Sequence, residues 1–206
     1  MTCDYKIPDG MDPELIKSFH KEIFYDQEYN RFGISVEKDD IVLDAGANVG
    51  IFTDYALVMG AKKIIAIESD FNIYSAFRKN IFSDKVICRL GFVSDNESVN
   101  NDIQSYNLKQ IFLKFNLTYL DFAKIDIEGH EYDLLLNCDE DFLCRINKLA
   151  IEVHFNYHED YVKTLAIIQK LNKNNFNVFY DRPHPNYNLG MLYAKNNSFY
   201  KTNLIR

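Results

Sequence analysis

The chain has 206 residues, of which 47% are hydrophobic and 26% charged, with a formal net charge of −7. That length suits one α/β domain with a sizeable core, and the acidic balance argues against a nucleic-acid partner, whose phosphates require a basic footprint. No apolar run approaches the ~18 residues of a membrane span, and the opening Met1 to Lys6 lacks an apolar signal region, so a cytoplasmic protein is the expectation. Cys3, Cys88, Cys138 and Cys144 form no Cys-x-x-Cys pair and have no His at zinc-finger spacing, which predicts reduced structural thiols.

Along the chain, Asp12 and Pro13 predict a helix start, a capping acid followed by proline at the first helical position. Leu15, Phe19, Ile23 and Phe24 supply its apolar stripe, and this helix precedes the rest as a cover over one edge of the site. Phe32 to Val36 reads as a short strand or an extended lead-in. Strand-like runs follow at 41–44, 63–68, 86–90, 122–127, 149–155, 176–180 and 190–194, with helix-like segments at 51–59, 71–82, 106–115, 130–136 and 157–172. Strands alternating with helices predict a seven-stranded, mostly parallel sheet covered on both faces. Only Arg182 to Leu189 separates the last two strands, too short for a parallel crossover, so the chain closes with an antiparallel hairpin. The expected organisation is one domain, with residues 1–38 as a helical cover and 39–197 as the core.

Residues 41–50 carry the most information. The apolar run ends in Asp44, a small-residue turn runs from Gly46 to Gly50, a helix opens at Ile51, and Glu68 closes the next strand. Strand, glycine turn, helix and strand ending in an acid form the unit that holds a nucleoside cofactor. A dinucleotide fingerprint wants Gly-x-Gly-x-x-Gly, but Asn48 and Ile51 stand at its second and third glycine positions. Asn48 tolerates the left-handed backbone that a middle glycine would adopt. A carboxylate at Asp44 suits an ammonium better than a pyrophosphate. The pattern therefore favours S-adenosylmethionine, with Asp44 toward its ammonium, Glu68 toward its ribose, Gly46, Asn48, Gly50 and Phe52 around it, and Asp126 beyond them also counted among the cofactor-binding residues. Gly91 to Asp95 follows the third strand, where Phe92 would flank the adenine and Ser94 or Asp95 would bond its exocyclic amine; a plain polar turn into Asn96, Glu97 and Ser98 is the alternative.

A second edge is rich in charge. In the run from Asp121 to Glu131, Lys124, Asp126 and Glu128 alternate with Ile125 and Ile127, and Gly129 allows a sharp exit. Charged residues in a central strand belong at its C-terminal end, facing the cleft where open α/β sheets bind ligands. The neighbouring strand places Glu152 and His154 on one side of its far end. Two strand ends thus bring Asp126, Glu128, Glu152 and His154 to one cleft.

Val42 to Phe52, Ala66 to Glu68, Lys124 to Glu131, and Ile151 to His154, together with Leu108 to Lys114 leading to Asp121 and the upstream Glu28-Tyr29-Asn30, resemble the FkbM family of methyltransferases over roughly residues 20–195. The resemblance implies a class I methyltransferase fold and S-adenosylmethionine-dependent transfer to a hydroxyl on a sugar, glycan or other small natural-product acceptor. A neutral hydroxyl is a poor nucleophile, so a base or a metal should assist. His154 is the expected base, with Asp126 orienting it or the acceptor; His130 is the second candidate, and Glu128 shapes the pocket. Asp126 and Glu152 could alternatively bind Mg²⁺. Tyr157, His158, His184 and Tyr187 fall at expected loop positions and suit a sugar-like acceptor or a protein interface equally. A non-catalytic binding module, a nicotinamide-dependent oxidoreductase and an RNA ribose methyltransferase are the rival readings.

Overall fold

A computed structural model of the protein describes residues 4–95, 103–181 and 188–199. Its elements are α1 (Pro13–Phe24), β1 (Ile41–Ala45), α2 (Ile51–Val58), β2 (Lys63–Glu68), α3 (Phe71–Asn80), β3 (Val86–Leu90), β4 (Phe92–Val93), β5 (Ser105–Tyr106), α4 (Leu108–Lys114), β6 (Leu120–Ile125), α5 (Glu131–Asn137), α6 (Glu140–Leu143), β7 (Ile146–His154), α7 (Glu159–Lys173), β8 (Phe176–Asp181) and β9 (Leu189–Asn196).

Seven strands form one sheet in the order β3-β2-β1-β6-β7-β9-β8. β3, β2, β1, β6 and β7 pair in parallel, while β9 runs antiparallel to both β7 and β8. The sequence-based expectation of a parallel sheet ending in an antiparallel hairpin holds. The strand order reverses between β1 and β6, and clefts form at the C-terminal ends of strands at such a switch point. The central strands are buried on both faces, and successive residues pack on opposite sides. Leu43, Ile65, Ala123, Ile151 and Leu192 meet α4, α5 and α7 on one face. Val42, Ile64, Phe122, Ala150 and Tyr193 meet α1 and α2 on the other. That two-sided burial is why these strands read as continuous apolar runs.

Several expectations need correction. The Asp12 side chain accepts from the Glu14 N–H at 2.9 Å, so the α1 cap is as predicted, but Leu15 is 45% exposed and the buried stripe is Ile16, His20 and Ile23. Phe32 to Val36 joins no sheet; Arg31 and Ile34 make an isolated bridge around a turn with positive φ at Phe32 and Gly33. β6 ends at Ile125, so Asp126 and Glu128 lie in the loop after the strand, with Glu128 at φ 55° and Gly129 at φ 99°. The short pairs β4 and β5, and the one-turn α6, carry no periodicity for a sequence pattern to reveal. The hairpin residues His184 and Tyr187 and the 96–98 segment lie outside the described residues.

Candidate functional site at the strand switch point

The turn after β1 is shaped by its neighbours. Gly46 has φ 78°, and a Cβ there would lie 1.7 Å from the Asp126 carbonyl oxygen, so only glycine lets the β1 and β6 loops touch. Asn48 adopts φ 49°, the left-handed conformation its side chain tolerates. Its N–H donates to Glu68 Oε2 at 2.9 Å, and the Asp70 N–H donates to Glu68 Oε1 at 2.8 Å. The acid closing β2 therefore stands against the turn that follows β1. Gly50, at φ 101°, caps α2, and Phe52 is buried with its ring edge-on to Tyr29. Ser94 is buried with its Oγ 3.5 Å from His130 Nδ1, and Asp95 accepts from the Asn107 side chain at 3.0 Å. His130 thus turns toward the β4 loop.

Asp44 departs from the role drawn for it. It is fully buried, accepts from Thr53 Oγ1 at 2.6 Å, and lies 3.5 Å from Lys124 Nζ. Lys124 also donates to the Gly46 carbonyl at 2.5 Å and pairs with Asp126 at 3.1 Å. Burial works against its charge, but Asp126 and Asp44 outweigh it and hold the ammonium above the usual lysine range. Asp44 therefore anchors a buried lysine instead of facing the cleft, and that lysine links the β1 turn to the β6 loop.

The charged edge assembles as the spacing implied. His154 Nε2 lies 3.4 Å from Glu128 Oε2, 3.6 Å from Glu152 Oε1 and 3.9 Å from Asp126 Oδ1. The group that orients the ring is Glu131, not Asp126. Fully buried, Glu131 accepts from the His154 backbone N–H at 2.8 Å, meets Nδ1 at 3.3 Å, and accepts from the Gly129 N–H at 2.8 Å. Tyr29, 4% exposed, points its hydroxyl at Asp126 Oδ2 (3.5 Å) and Glu152 Oε2 (3.4 Å). Its segment is pinned by the Arg31–Asp181 pair at 2.7 Å, by the Tyr193 hydroxyl donating to the Glu28 carbonyl at 2.6 Å, and by Phe32 stacked on Phe179. Glu131 and Tyr29 stand within the family-like motifs, but no local pattern signals their roles, because their contacts join residues 23 and 97 or more positions apart.

These acids crowd one another. Burial, then Asp126 and Glu28, push the Glu152 carboxyl up to about 8. Burial, then Glu22 and Asp126, push Glu28 up to about 7. Burial depresses the His154 imidazolium, yet the hydrogen bond and charge of Glu131, with Glu152 and Asp126, more than offset it and raise it to about 9. A cavity of about 520 Å³ opens beside the cluster, walled by α1, the Asp26 to Arg31 segment, the start of α2 and the ends of β6, β7 and β9.

A switch-point sheet with a final antiparallel hairpin, a left-handed Gly-x-Asn turn and an acid closing the second strand define a class I S-adenosylmethionine-dependent methyltransferase. The model for the methyltransferase FkbM domain matches residues 69–178, more than half of the chain, and the chain belongs to that family. Its cofactor is S-adenosylmethionine. The AMB antimetabolite synthetase AmbE of Pseudomonas aeruginosa is 22% identical across 70% of this chain, which spans only 10% of that much longer protein. Among solved structures, Aeropyrum pernix fibrillarin with natively bound S-adenosyl-L-methionine aligns with a TM-score of 0.57 at 11% identity, covering 86% of this chain and 74% of that one. A candidate rRNA methylase from Clostridium thermocellum aligns at 0.60 and 10% identity, covering 84% and 94%. A candidate RNA methyltransferase from Pyrococcus horikoshii aligns at 0.52 and 18% identity, covering 94% of each chain. At these identities the likeness is one of fold. Among the described residues, no helix is long and apolar enough to cross a membrane.

Proposed function

We propose that this methyltransferase methylates a hydroxyl on an uncharged or cationic small acceptor such as a sugar, glycan or natural product. The observation that carries the reading is the cavity beside His154. Glu22, Asp26, Glu28, Asp126, Glu128 and Glu152 line it, whereas its cations Lys124 and Arg31 are already paired with Asp44, Asp126 and Asp181. A phosphate-bearing acceptor would meet the charge of Glu22, Asp26, Asp126 and Glu128 there, even with the raised Glu28 and Glu152 carboxyls set aside, which disfavours RNA despite the fold shared with RNA methyltransferases.

The donor fits the turn between β1 and α2. A carboxylate offers about four lone-pair sites; Asn48 and Asp70 use part of Glu68's capacity, and the remainder suits ribose hydroxyls. Gly46, Asn48, Gly50 and Phe52 shape the turn, and Ser94 and Asp95 stand at the loop for adenine. S-adenosylmethionine supplies an activated methyl on a positively charged sulfur. The protein must hold the acceptor oxygen in line with that methyl, chiefly a positioning task. The helix α1 and the segment through Arg31 act as the wall of the acceptor side. The acceptor proton goes to the cluster of Asp126, Glu128 and His154. Glu131, Glu152 and Asp126 hold the His154 imidazolium up at about 9, and it becomes a base when positive charge such as the sulfonium enters beside it.

Calorimetry with S-adenosylhomocysteine and NAD, followed by a methyl-transfer assay over sugars, amino sugars, glycolipids and RNA, tests the reading. Tight S-adenosylhomocysteine binding with turnover on a polyol or sugar is expected. Binding without turnover on any hydroxyl supports a non-catalytic module, and turnover on RNA alone overturns the acceptor class.

A further inference from the structure

We propose that Asp126, Glu152 and His154 bind one divalent cation of the Mg²⁺/Mn²⁺ class. The assignment rests on the methyl-transfer reading and adds the group that activates the acceptor oxygen. Each residue offers one donor atom, and the donor atoms lie within 4.8 Å of one another. His154 Nε2 stands 3.6 Å from Glu152 Oε1 and 3.9 Å from Asp126 Oδ1. These separations are too long for hydrogen bonds. Two ligands about 2.1 Å from a metal at ordinary coordination angles lie roughly 3.0–3.7 Å apart, so the Glu152 separation already matches donors sharing an ion and the Asp126 carboxylate need close by only a few tenths of an ångström.

The surroundings orient all three donors. His154 is 6% exposed, and its Nε2 makes no hydrogen bond among the described residues. Glu131 holds Nδ1 from behind at 3.3 Å, the carboxylate–histidine arrangement that leaves Nε2 free for a metal. Tyr29 contacts Asp126 Oδ2 and Glu152 Oε2, at 3.5 and 3.4 Å, so that Oδ1 and Oε1 turn toward the imidazole. Lys124 approaches Asp126 on the same Oδ2, at 3.1 Å, and leaves Oδ1 open. Two carboxylates that also line the cavity, together with one imidazole, favour a hard hydrated cation.

With the cation held there, His154 is a ligand and the proton-accepting part falls to Glu128, whose exposed carboxylate lies 3.4 Å from Nε2. The acceptor hydroxyl binds through oxygen and its O–H proton passes to Glu128. That oxygen bonds to the methyl carbon while the carbon–sulfur electron pair returns to sulfur, leaving S-adenosylhomocysteine.

The test is titration of metal-stripped protein with Mn²⁺, read as loss of the free-ion electron paramagnetic resonance signal, beside calorimetry with S-adenosylhomocysteine. One Mn²⁺ per chain is expected, displaced by Mg²⁺. Binding should weaken at least ~10-fold in Glu152→Gln and in Asp126→Asn, while Glu152→Gln keeps its S-adenosylhomocysteine affinity, which also reports that it is folded. No Mn²⁺ uptake at millimolar metal, or equal uptake in wild type and both variants, overturns the cation site; retained S-adenosylhomocysteine binding then leaves the methyl-transfer reading standing. A wild type that binds no S-adenosylhomocysteine overturns that reading and this assignment together.

Discussion

Glu131 and His154 are locked together at two points: one carboxylate oxygen accepts from the His154 backbone N–H at 2.8 Å and faces its Nδ1 at 3.3 Å. A carboxylate accepts, so Nδ1 carries a proton whether the ring is neutral or charged, and Nε2 is the atom presented to Asp126, Glu128 and Glu152, where the second proton is gained or lost. The ring cannot turn without losing its Nδ1 contact to the same oxygen that holds the end of β7 through the backbone N–H.

His154→Ala should therefore act on chemistry more than on cofactor binding. Turnover should fall by about 10²- to 10⁴-fold, with S-adenosylhomocysteine affinity nearly intact. Steady-state kinetics beside calorimetry measure both; undiminished turnover would remove His154 from the reaction.

Lys124→Met tests the buried pair behind the turn. Asp44 is fully buried, and among the described residues its Oδ1 has no hydrogen-bond partner, leaving the Lys124 ammonium at 3.5 Å as its compensation. Removing that ammonium should cost about 3–5 kcal/mol. Urea denaturation reads the loss, and Asp44→Asn in the same background should recover part of it.

Gly46→Ala should be severe for a different reason. The added Cβ would lie 1.7 Å from the Asp126 carbonyl at a residue with φ 78°, so the β6 loop must shift. A loss of about 2–4 kcal/mol is expected, with weakened S-adenosylhomocysteine binding. A fully stable variant with normal affinity would show that this close approach does not shape the turn.

Glu28 sets a pH dependence. Burial, then Glu22 and Asp126, raise its carboxyl to about 7, above the ordinary unfolded value of about 4.3. A raised folded value means that the contribution is present below the unfolded value and is lost as pH rises through about 7. Glu28→Gln should accordingly stabilise the protein at pH above that window by about 1–3 kcal/mol and have little effect below it. Thermal unfolding across pH gives the answer; an unchanged difference between wild type and variant at all pH values would sink it.

The seven-stranded sheet, its closing hairpin and the nucleoside turn were legible because each rests on local pattern: apolar runs, short connections, and glycine or asparagine where the backbone turns left-handed. Asp126, Glu128, Glu152 and His154 were legible as a set because charges at the ends of buried strands have one favourable direction to face. Partnership was not legible. Asp44 reads like a ligand-facing acid from its place at the end of β1, yet it neutralises a lysine 80 residues away. Glu131 opens a helix in the sequence, yet it governs an imidazole 23 residues on. Local sequence determined which groups this chain carries to the strand ends, since periodicity and turn chemistry act between neighbours. Only the tertiary structure decided which charges cancel and which remain turned toward the cavity, because that depends on distances of a few ångströms between segments brought together by packing.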